Sequence, residues 1–590
     1  MNWQQIVDPF DNIALSALAA AIPIVFIFWA LAIKRMKGHK ASLMALLIAI
    51  VVVTAMYRMP LQLSLLSALY GALYGIFPIC WIILGAVYLF NLTVKSGQFE
   101  IIKDFMMSIT PDRRLQAILI AFSFGAFLEG ASGFGAPIAI STAVLVGFGF
   151  NPLYAAGLCL IANTAPVAFG AIGTPIITAA KIADLPEMAI SQLVGRTLPF
   201  LSVVVPFYLV VMMAGFRKSL EVLPAILVSG ITFAFFQWYT SNHLGPMLPD
   251  VIAGLASIIS LIMLLKYWKP KNIWRFREES KEPGTAAVIR YPPAKICRAW
   301  SPFFVMTIIV VAWGIAPVKA ALNAMGRIEF YIPGLQNAIL EPTGSPLAVE
   351  PFEFNFLSAP GTGLLVAALV SLPLMGLRFK EAVTVFFQTL NQLKFPFITI
   401  ALVMGFAFVA RNAGMSMTIA MALASTGRMF PFFSPMLGWL GVFLTGSDTS
   451  SNALFCKLQY NSAQATGVDP LVTVSANASG GVTGKMISPQ SIAIGAASAG
   501  LTGQESNLFR FTVKHSFVML MVICVITMLQ AYWIKWMVPE YKLVTEMAAT
   551  ATKDLSTGFM YLLAVALLLA LLSAAILLLN RSRKKYYSQP

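Results

Sequence analysis

Residues 127–133 read FLEGASG and residues 163–175 read NTAPVAFGAIGTP, within a region that is apolar yet crowded with glycine, proline, serine, threonine and asparagine. Such residues are unusual in a lipid-facing helix. They interrupt the helix, and the bilayer contains no water to form hydrogen bonds with the exposed backbone N–H and C=O groups. Interrupted helices at membrane depth are tolerated only where protein or a water-filled cavity surrounds them. The region 115–180 therefore predicts discontinuous or re-entrant helices.

A second region, 430–500, repeats this pattern with FLTGSDT at 443–449 and NASGGVTGKMISP at 477–489. Both copies contain F-L-x-G and then N-x6-G-x3-[S/T]-P, and the phenylalanine and asparagine are 36 residues apart in the first and 34 in the second. Two motifs at nearly the same separation predict an internal repeat. If the helix before Glu129 starts inside and the helix before Asp448 starts outside, the copies are inverted, as in many secondary transporters.

The composition of the 590 residues requires lipid as the solvent for most of the chain. Hydrophobic residues make up 58% and charged residues 11%, whereas soluble domains carry roughly 45–50% and about 25%. We therefore predict an all-α polytopic membrane protein. Its net charge of +16 lies in short segments between apolar runs, which indicates membrane orientation rather than a nucleic-acid partner.

The sequence contains no motif that indicates disulfides, a metal site, ATP hydrolysis or catalysis. The five cysteines form no C-x-x-C and the three histidines lie far apart, so neither a disulfide framework nor a metal site is expected. No P-loop is present, so ATP is not expected to drive transport within this chain. We expect no cofactor and no enzymatic activity, since no nucleophile–base pair is visible.

Charged segments predict the topology. Basic clusters at 34–40, 95–114, 266–298 and 581–585 should be cytoplasmic. The N-terminal segment and the stretch with Glu341, Glu350 and Glu353 should be external. An outside N-terminus and an inside C-terminus require an odd number of crossings, about 13 for a chain of this length and hydropathy. The clear spans are 13–33, 41–57, 74–94, 196–215, 222–239, 248–266, 300–317, 361–376, 395–410, 513–533 and 558–580.

These segments divide the chain into six parts. We predict N-terminal helices at 1–114, a first transport repeat at 115–265, a cytoplasmic loop at 266–299, connecting helices with an external loop at 300–394, a second transport repeat at 395–533, and a final helix with a cytoplasmic tail at 534–590.

Broken helices suit the binding of a small anion. Unpaired N–H groups at a helix N-terminus attract negative charge, and short polar side chains add hydrogen-bond donors. Lys485, inside the second motif, is the candidate for a fixed positive charge, unless it extends to the interface. For any single small residue, close helix packing is the alternative. The predicted substrate-binding residues are Ser132, Asn163, Thr174, Asn477, Lys485, Ser488 and Gln490.

Glu129 and Asp448 lie within the repeated motifs, where an ionised carboxylate would be costly. Burial favours the protonated form of a carboxyl group, so both residues are candidates for proton coupling. The alternative is a permanently ionised carboxylate that backbone N–H groups or a basic partner stabilise.

The motifs resemble those of the bacterial L-lactate permease family. The segments that carry the resemblance are FLEGASGFGAPIAI at 127–140, ANTAPVAFGAIGTP at 162–175, GSDTSSNALF at 446–455 and SANASGGVTGKMISPQS at 475–491. The resemblance covers most of the chain and implies proton-coupled uptake of L-lactate, with D-lactate and glycolate as related substrates, in the bacterial inner membrane. It assigns no role to an individual residue.

We therefore predict a secondary transporter that moves a small hydroxycarboxylate anion together with protons. A sodium-coupled carrier of the same fold and an anion channel remain alternatives. The sequence gives neither the stereochemical preference nor the oligomeric state.

Overall fold

The computed structural model describes residues 3–30, 34, 36–133, 135–276, 291–342, 344–347, 349, 351–501 and 504–542. The predicted final span 558–580, the basic tail 581–585, Glu350 and residues 277–290 of the predicted loop 266–299 lie outside the described residues.

Helices make up most of the described chain. In order they are α1 (Ile13–Phe28), α2 (Gly38–Ala55), α3 (Leu61–Tyr74), α4 (Trp81–Lys95), α5 (Gln98–Met107), α6 (Arg113–Gln116), α7 (Gly125–Ala131), α8 (Ala136–Gly147), α9 (Pro152–Ala162), α10 (Gly170–Ala183), α11 (Glu187–Thr197), α12 (Pro199–Ala214), α13 (Phe216–Leu220), α14 (Leu223–His243), α15 (Pro249–Tyr267), α16 (Pro293–Gly314), α17 (Ala316–Gly326), α18 (Pro360–Met375), α19 (Phe379–Asn412), α20 (Met415–Leu423), α21 (Phe430–Thr445), α22 (Asp448–Thr466), α23 (Pro470–Lys485), α24 (Pro489–Ser498) and α25 (Glu505–Tyr532).

Among the described residues, four short strands depart from the all-α prediction. They are β1 (Trp3–Gln4), β2 (Arg327–Phe330), β3 (Ile339–Leu340) and β4 (Phe352–Asn355). β1 pairs in parallel with β3, and β2 pairs antiparallel with β4. The strands join the N-terminal segment to the stretch that was also predicted to be external, so these two segments lie at the same end of the molecule. Such short pairs leave almost no periodic signal in the sequence.

The described residues contain nine helices that are long and apolar enough to cross a membrane, or ten if α9 and the bent segment after it count as one span. This agrees with a polytopic membrane protein. The count of about 13 crossings stays a prediction, since residues 543–590 are not described.

Two long helices are longer than the sequence predicted. α3 and α4 form a span of 35 residues that is kinked within Gly75–Cys80, where Phe77 has extended backbone, and this span packs along the 34-residue α19. A Cβ on Gly71 would lie 2.4 Å from the Met404 carbonyl oxygen, so glycine permits this close approach. Farther along, Asn91 donates a hydrogen bond to the Thr389 hydroxyl over 2.9 Å. Asn91 lies inside the predicted span 74–94, whereas Thr389 lies before the predicted span 395–410, in the part of α19 that the sequence analysis did not assign to a span.

The first repeated region folds as a helical hairpin followed by a broken helix. One arm runs from α6 through a π-helical segment, Ala117–Phe124, to α7, and the other arm is α8. Arg113, at the start of the first arm, lies over the rings of Phe148 and Phe150, which follow the second arm. The turn thus lies at the opposite end of the hairpin. α9 then breaks off, and α10 continues after a bend of 65°.

The second repeated region contains the same two parts. α21 and α22 form a hairpin whose turn is Gly446–Ser447, and the Ser451 hydroxyl donates across it to the Gly438 carbonyl over 3.0 Å. α23 ends at Lys485, and α24 begins at Pro489. In both regions the hairpin turn and the helix break contain the motif residues, as the sequence predicted.

Buried Arg114 anchors the start of the first hairpin. Its guanidinium pairs with Asp112 and Glu221 over 2.8 Å each and donates to the backbone carbonyls of Lys218 and Asn272. Hydrogen bonds from Arg114 and Lys218 lower the pKa of the Glu221 carboxyl from its usual value. The loop after α15 is thereby held against the loop before α6, and both had been predicted to lie on one side of the membrane.

Replacing Arg114 with alanine should strongly destabilise the protein. The variant leaves Asp112, whose side chain is 1% exposed, without its cation, and breaking a buried pair costs roughly 3–5 kcal/mol. We expect a lower midpoint of thermal unfolding for the purified protein in detergent. The control is Arg327→Ala, because Arg327 and Glu353 form an exposed pair worth about 1 kcal/mol or less. Equal losses in the two variants would contradict this account.

Candidate functional site

A cavity of about 940 Å³ lies where the two repeated regions meet. Glu129 and Gly170 line it from the first region, and Asp448, Lys485 and Gln490 line it from the second. The remaining wall includes Met36, His39, Phe395 and Glu505. The two motif regions, far apart in the chain, thus contribute ionisable side chains to one cavity.

Glu129 is held by the break in the first broken helix. Its side chain is buried, with 3% exposure. The Asn163 amide nitrogen donates to Glu129 Oε2 over 2.9 Å. A Cβ on Gly170 would lie 2.7 Å from Oε1, so glycine is needed where the backbone passes the carboxyl group. The predicted binding residue Asn163 therefore positions Glu129.

The backbone beside Glu129 has an unusual conformation. Ala171, Ile172 and Gly173 have φ values of 45°, 56° and 70°. Left-handed backbone is costly for residues other than glycine, and for a β-branched residue it is a rare outlier. Strain of this kind persists where surrounding structure imposes it and is concentrated at functional sites. Ala171 lines the cavity, so this strained turn forms part of the candidate site.

Asp448 begins α22, directly after the turn of the second hairpin. Its side chain is 3% exposed, and neither carboxylate oxygen has a hydrogen-bond partner among the described residues. A Cβ on Gly481 would lie 2.1 Å from Asp448 Oδ1. α23 therefore needs glycine where it passes this carboxyl group.

Lys485 supplies a positive charge at the end of α23. Its side chain is 8% exposed, lines the cavity and donates from Nζ to the Gly446 carbonyl over 3.0 Å. The first residues of α22 and Gln490 of α24 also line the cavity. Helix N-termini carry partial positive charge, so this side of the cavity suits a small anion.

Asn477 lies behind the cavity in a polar network. Its amide nitrogen donates to Asn452 Oδ1 over 2.9 Å, and its Oδ1 accepts from Gln459 over 3.2 Å. Asn452 in turn donates to the Pro175 carbonyl over 3.0 Å. The network joins the two broken helices, because Pro175 belongs to α10. Asn477 therefore connects the repeats in the described conformation and does not line the cavity.

Three predicted hydroxyl residues support the backbone around the site. Ser132 and Thr174 donate to the carbonyls of Leu128 and Ala171. Ser488 caps α24 by accepting from the Ser491 N–H over 3.2 Å. None of the three lines the cavity. Of the seven predicted substrate-binding residues, Lys485 and Gln490 line it, and their contact with substrate stays a prediction.

Asp250 and Gln237 are polar residues near the site that the sequence analysis missed. Asp250 is fully buried, and a Cβ on Gly130 would lie 2.8 Å from its Cβ. Gln237 donates to Asp250 Oδ1 over 3.4 Å and to the Ala165 carbonyl over 3.0 Å. Both residues belong to segments that had been assigned to ordinary spans, in which a polar residue near an end indicates only the interface. The one signal in the sequence that could have identified Asp250 is its position as a carboxylate just inside the apolar span 248–266.

Comparisons with known proteins identify the family. A family model described as L-lactate permease matches residues 16–534. The chain is 53% identical to an L-lactate permease of Bacillus subtilis strain 168, over 91% of this chain and all of that protein. It is 50% identical to Glycolate permease GlcA of Escherichia coli K12, over 90% and 98% of the two chains. An L-lactate permease of the same E. coli strain is 48% identical, over 91% and 100%.

Similarity to solved structures is lower. MtrF of Neisseria gonorrhoeae, described with a class of antimetabolite efflux pumps, has a TM-score of 0.38 and 13% identity over 77% of this chain and 81% of that chain. The YdaH transporter of Alcanivorax borkumensis has a TM-score of 0.33 and 12% identity over 73% and 88%.

Permeases are membrane transporters rather than enzymes, in agreement with the nine long apolar helices of the described residues. The match to the family model over residues 16–534 and the identities near 50% over nine-tenths of the chain show that this protein belongs to the L-lactate permease family.

Proposed function

We propose that this protein is a secondary transporter that takes up L-lactate, glycolate and D-lactate by proton symport across the bacterial inner membrane. The observation that carries the proposal is the shared cavity, which joins a fixed cation, Lys485, with two buried carboxyl groups, Glu129 and Asp448. The relatives named as L-lactate and glycolate permeases support this substrate class.

The architecture that we propose is a pair of inverted repeats, at 115–265 and 395–533. The hairpin and broken helix found in each region support it. The basic residue Arg113 marks the open end of the first hairpin. Inversion places the open end of the second hairpin, near Arg428, on the external side, although a basic residue there runs against the positive-inside rule. Residues 1–114, 266–299, 300–394 and 534–590 would form the rest of the protein, with an external N-terminus and a cytoplasmic C-terminus.

The anion is proposed to bind between Lys485, Gln490 and the start of α22. A carboxylate there would receive a charge-assisted hydrogen bond from Lys485 Nζ, which now donates to the Gly446 carbonyl. Such bonds are roughly twice as strong as neutral ones. The partial positive charge of the α22 N-terminus adds to the attraction.

Proton coupling follows from the cost of moving charge. A negative cell interior opposes the entry of an anion by about 2.3 kcal/mol per charge per 100 mV. One proton carried with one lactate removes this opposition and adds the energy of the pH gradient. Glu129 and Asp448 are the proposed proton-coupling groups because both are buried beside the proposed anion site.

Uptake by the purified protein in liposomes tests the function. With an inward proton gradient we expect labelled L-lactate to accumulate, and unlabelled glycolate and D-lactate to compete. Sodium-driven uptake that ignores pH would favour the sodium-coupled carrier. Conductance without accumulation would favour an anion channel. Either result would contradict proton symport.

Replacing Lys485 with glutamine should weaken substrate binding. Glutamine retains a donor for the Gly446 carbonyl but lacks the charge. A hydrogen bond to a charged group contributes about 1.5–3 kcal/mol, so the KM for lactate should rise by about tenfold or more. Lys380→Gln, at an exposed position, is the matched control and should resemble the wild type. An unchanged KM in the Lys485 variant would remove this residue from the site.

Replacing Glu129 with glutamine should separate transport from its driving force. The amide keeps the shape of the side chain but cannot gain or release the coupling proton. We expect accumulation under a pH gradient to be lost, while exchange of labelled for unlabelled lactate stays measurable. Full accumulation would exclude Glu129 as a coupling residue.

A further inference from the structure

Arg411 and Lys457 share one carboxylate partner, Asp184. Arg411 Nη2 lies 2.8 Å and Lys457 Nζ lies 3.0 Å from Asp184 Oδ2. The three side chains are partly solvated, with exposures of 16% for Arg411, 20% for Lys457 and 37% for Asp184. Lys181 lines the same small pocket as Asp184 and Arg411, and Glu341 attracts Lys457 electrostatically. Positive charge therefore exceeds negative charge in this cluster.

The guanidinium of Arg411 has donors beyond the one that Asp184 uses. Its Nη2 contacts a single carboxylate oxygen, whereas its Nε is buried and has no hydrogen-bond partner among the described residues. A guanidinium can hold a carboxylate through two parallel N–H donors. Because a buried donor without a partner is costly, Arg411 would gain from a second acceptor oxygen.

The cluster joins the two repeated regions at one end of the contact between α10 and α22. Asp184 follows the last residue of α10, Lys457 belongs to α22, and Arg411 lies in the last turn of α19. At the cavity wall, Asn452 of α22 donates to the Pro175 carbonyl of α10 over 3.0 Å. Asp184 lies nine residues beyond Pro175, which is about 13 Å at 1.5 Å per residue. The contact between these helices thus extends from the cavity to the cluster.

The cavity extends away from the cluster. Its wall includes His39 and Phe395, and His39 lies in the segment 34–40 that was predicted to be cytoplasmic. Arg411 lies 16 residues beyond Phe395 on α19, which is about 24 Å. Gln5, in the N-terminal segment that was predicted to be external, donates to the Asn412 carbonyl over 2.8 Å. In the proposed orientation the cluster is external, and the contact between α10 and α22 lies between it and the cavity.

We propose that Arg411 and Lys457 form an external capture site for the carboxylate of the substrate, and that Asp184 occupies this site in the described conformation. The inference rests on the proposed function and adds a binding site outside the cavity. When α10 and α22 separate to open the cavity to the exterior, Asp184 leaves with the first repeat. Arg411 and Lys457 remain together on the second repeat, and the carboxylate of lactate or glycolate takes the place of Asp184.

The chemistry of the cluster fits a small carboxylate. Asp184 is itself a carboxylate held by both cations, so a substrate carboxylate would repeat these contacts and bring a second oxygen to Arg411 Nε. Removal of one partner from an ion pair leaves the other charge uncompensated, which favours entry of an anion as Asp184 departs. Asp184 and the substrate compete for the same cations. The external side therefore closes only after the substrate has left the capture site for the cavity.

The test is initial uptake of labelled L-lactate by right-side-out membrane vesicles that contain the full-length protein, at fixed pH and membrane potential. Arg411→Gln removes a capture cation and should raise the KM for external lactate by about tenfold, the effect of losing one charge-assisted hydrogen bond. Asp184→Asn removes the competitor and should lower this KM by about two- to fivefold, the range for a partly exposed ion pair. Asparagine also tolerates the left-handed backbone at this position, where φ is 56°.

Opposite shifts of the KM distinguish a capture site from an ion pair that only holds the repeats together. A purely structural pair would change the KM in the same direction in both variants, because each variant breaks the same contact. That result, or an unchanged KM in Arg411→Gln, would overturn the inference. The matched control is Arg327→Gln, which removes an exposed cation paired with Glu353 between β2 and β4, and its KM should equal that of the wild type.

A second variant keeps the test decisive if Arg411→Gln does not fold. Lys457→Gln leaves the contact between Arg411 and Asp184 in place and should also raise the KM for external lactate, whereas an unchanged or lower KM would overturn the inference. Lactate uptake by the wild type with no opposite shifts in the variants would leave the proposed function intact. Absence of lactate uptake in the wild type would instead overturn the proposed function, and this inference with it.

Discussion

The structure depends on one constraint, which is that backbone and carboxyl groups at membrane depth must be satisfied without bulk water. Around each broken helix, hydrogen bonds to the other repeat or to the adjacent hairpin satisfy exposed backbone carbonyls. Asn452 of the second region donates to the Pro175 carbonyl of the first, and Lys485 donates to the Gly446 carbonyl of the adjacent hairpin turn. These contacts close the protein around a cavity with ionisable side chains on its wall. Irregular backbone in a bilayer is tolerated only where protein or a water-filled cavity surrounds it.

Two glycines allow the backbone to pack this closely around the cavity. Gly170 lets the backbone pass within reach of Glu129, and Gly481 does the same for Asp448. An alanine at either position would place a methyl group on a carboxylate oxygen. The small residues that the sequence analysis assigned to either packing or a site thus serve both purposes, because close packing is what brings a carboxyl group beside a helix break.

Charge divides the cavity into two chemical environments. Lys485 and the start of α22 provide positive potential on one wall. On the other wall, Glu129 accepts a hydrogen bond from the neutral amide of Asn163, and Asp250 lies behind Gly130. In the proposed mechanism the anion and the proton therefore occupy separate positions. That separation allows each to influence the other through charge without direct competition for one group.

The sequence by itself determined that the chain is a helical membrane protein, that two motif regions interrupt its helices, and that Glu129, Asp448 and Lys485 belong to them. It did so because composition, helix-breaking residues and intramembrane charges have local causes. Only the tertiary structure showed that Ser132, Thr174 and Ser488 support backbone. It also showed that Asn477 connects the repeats and that Asp250 and Gln237 lie near the site. Which neighbour a polar side chain meets depends on helix packing between distant segments, and a single sequence contains no local signal for that.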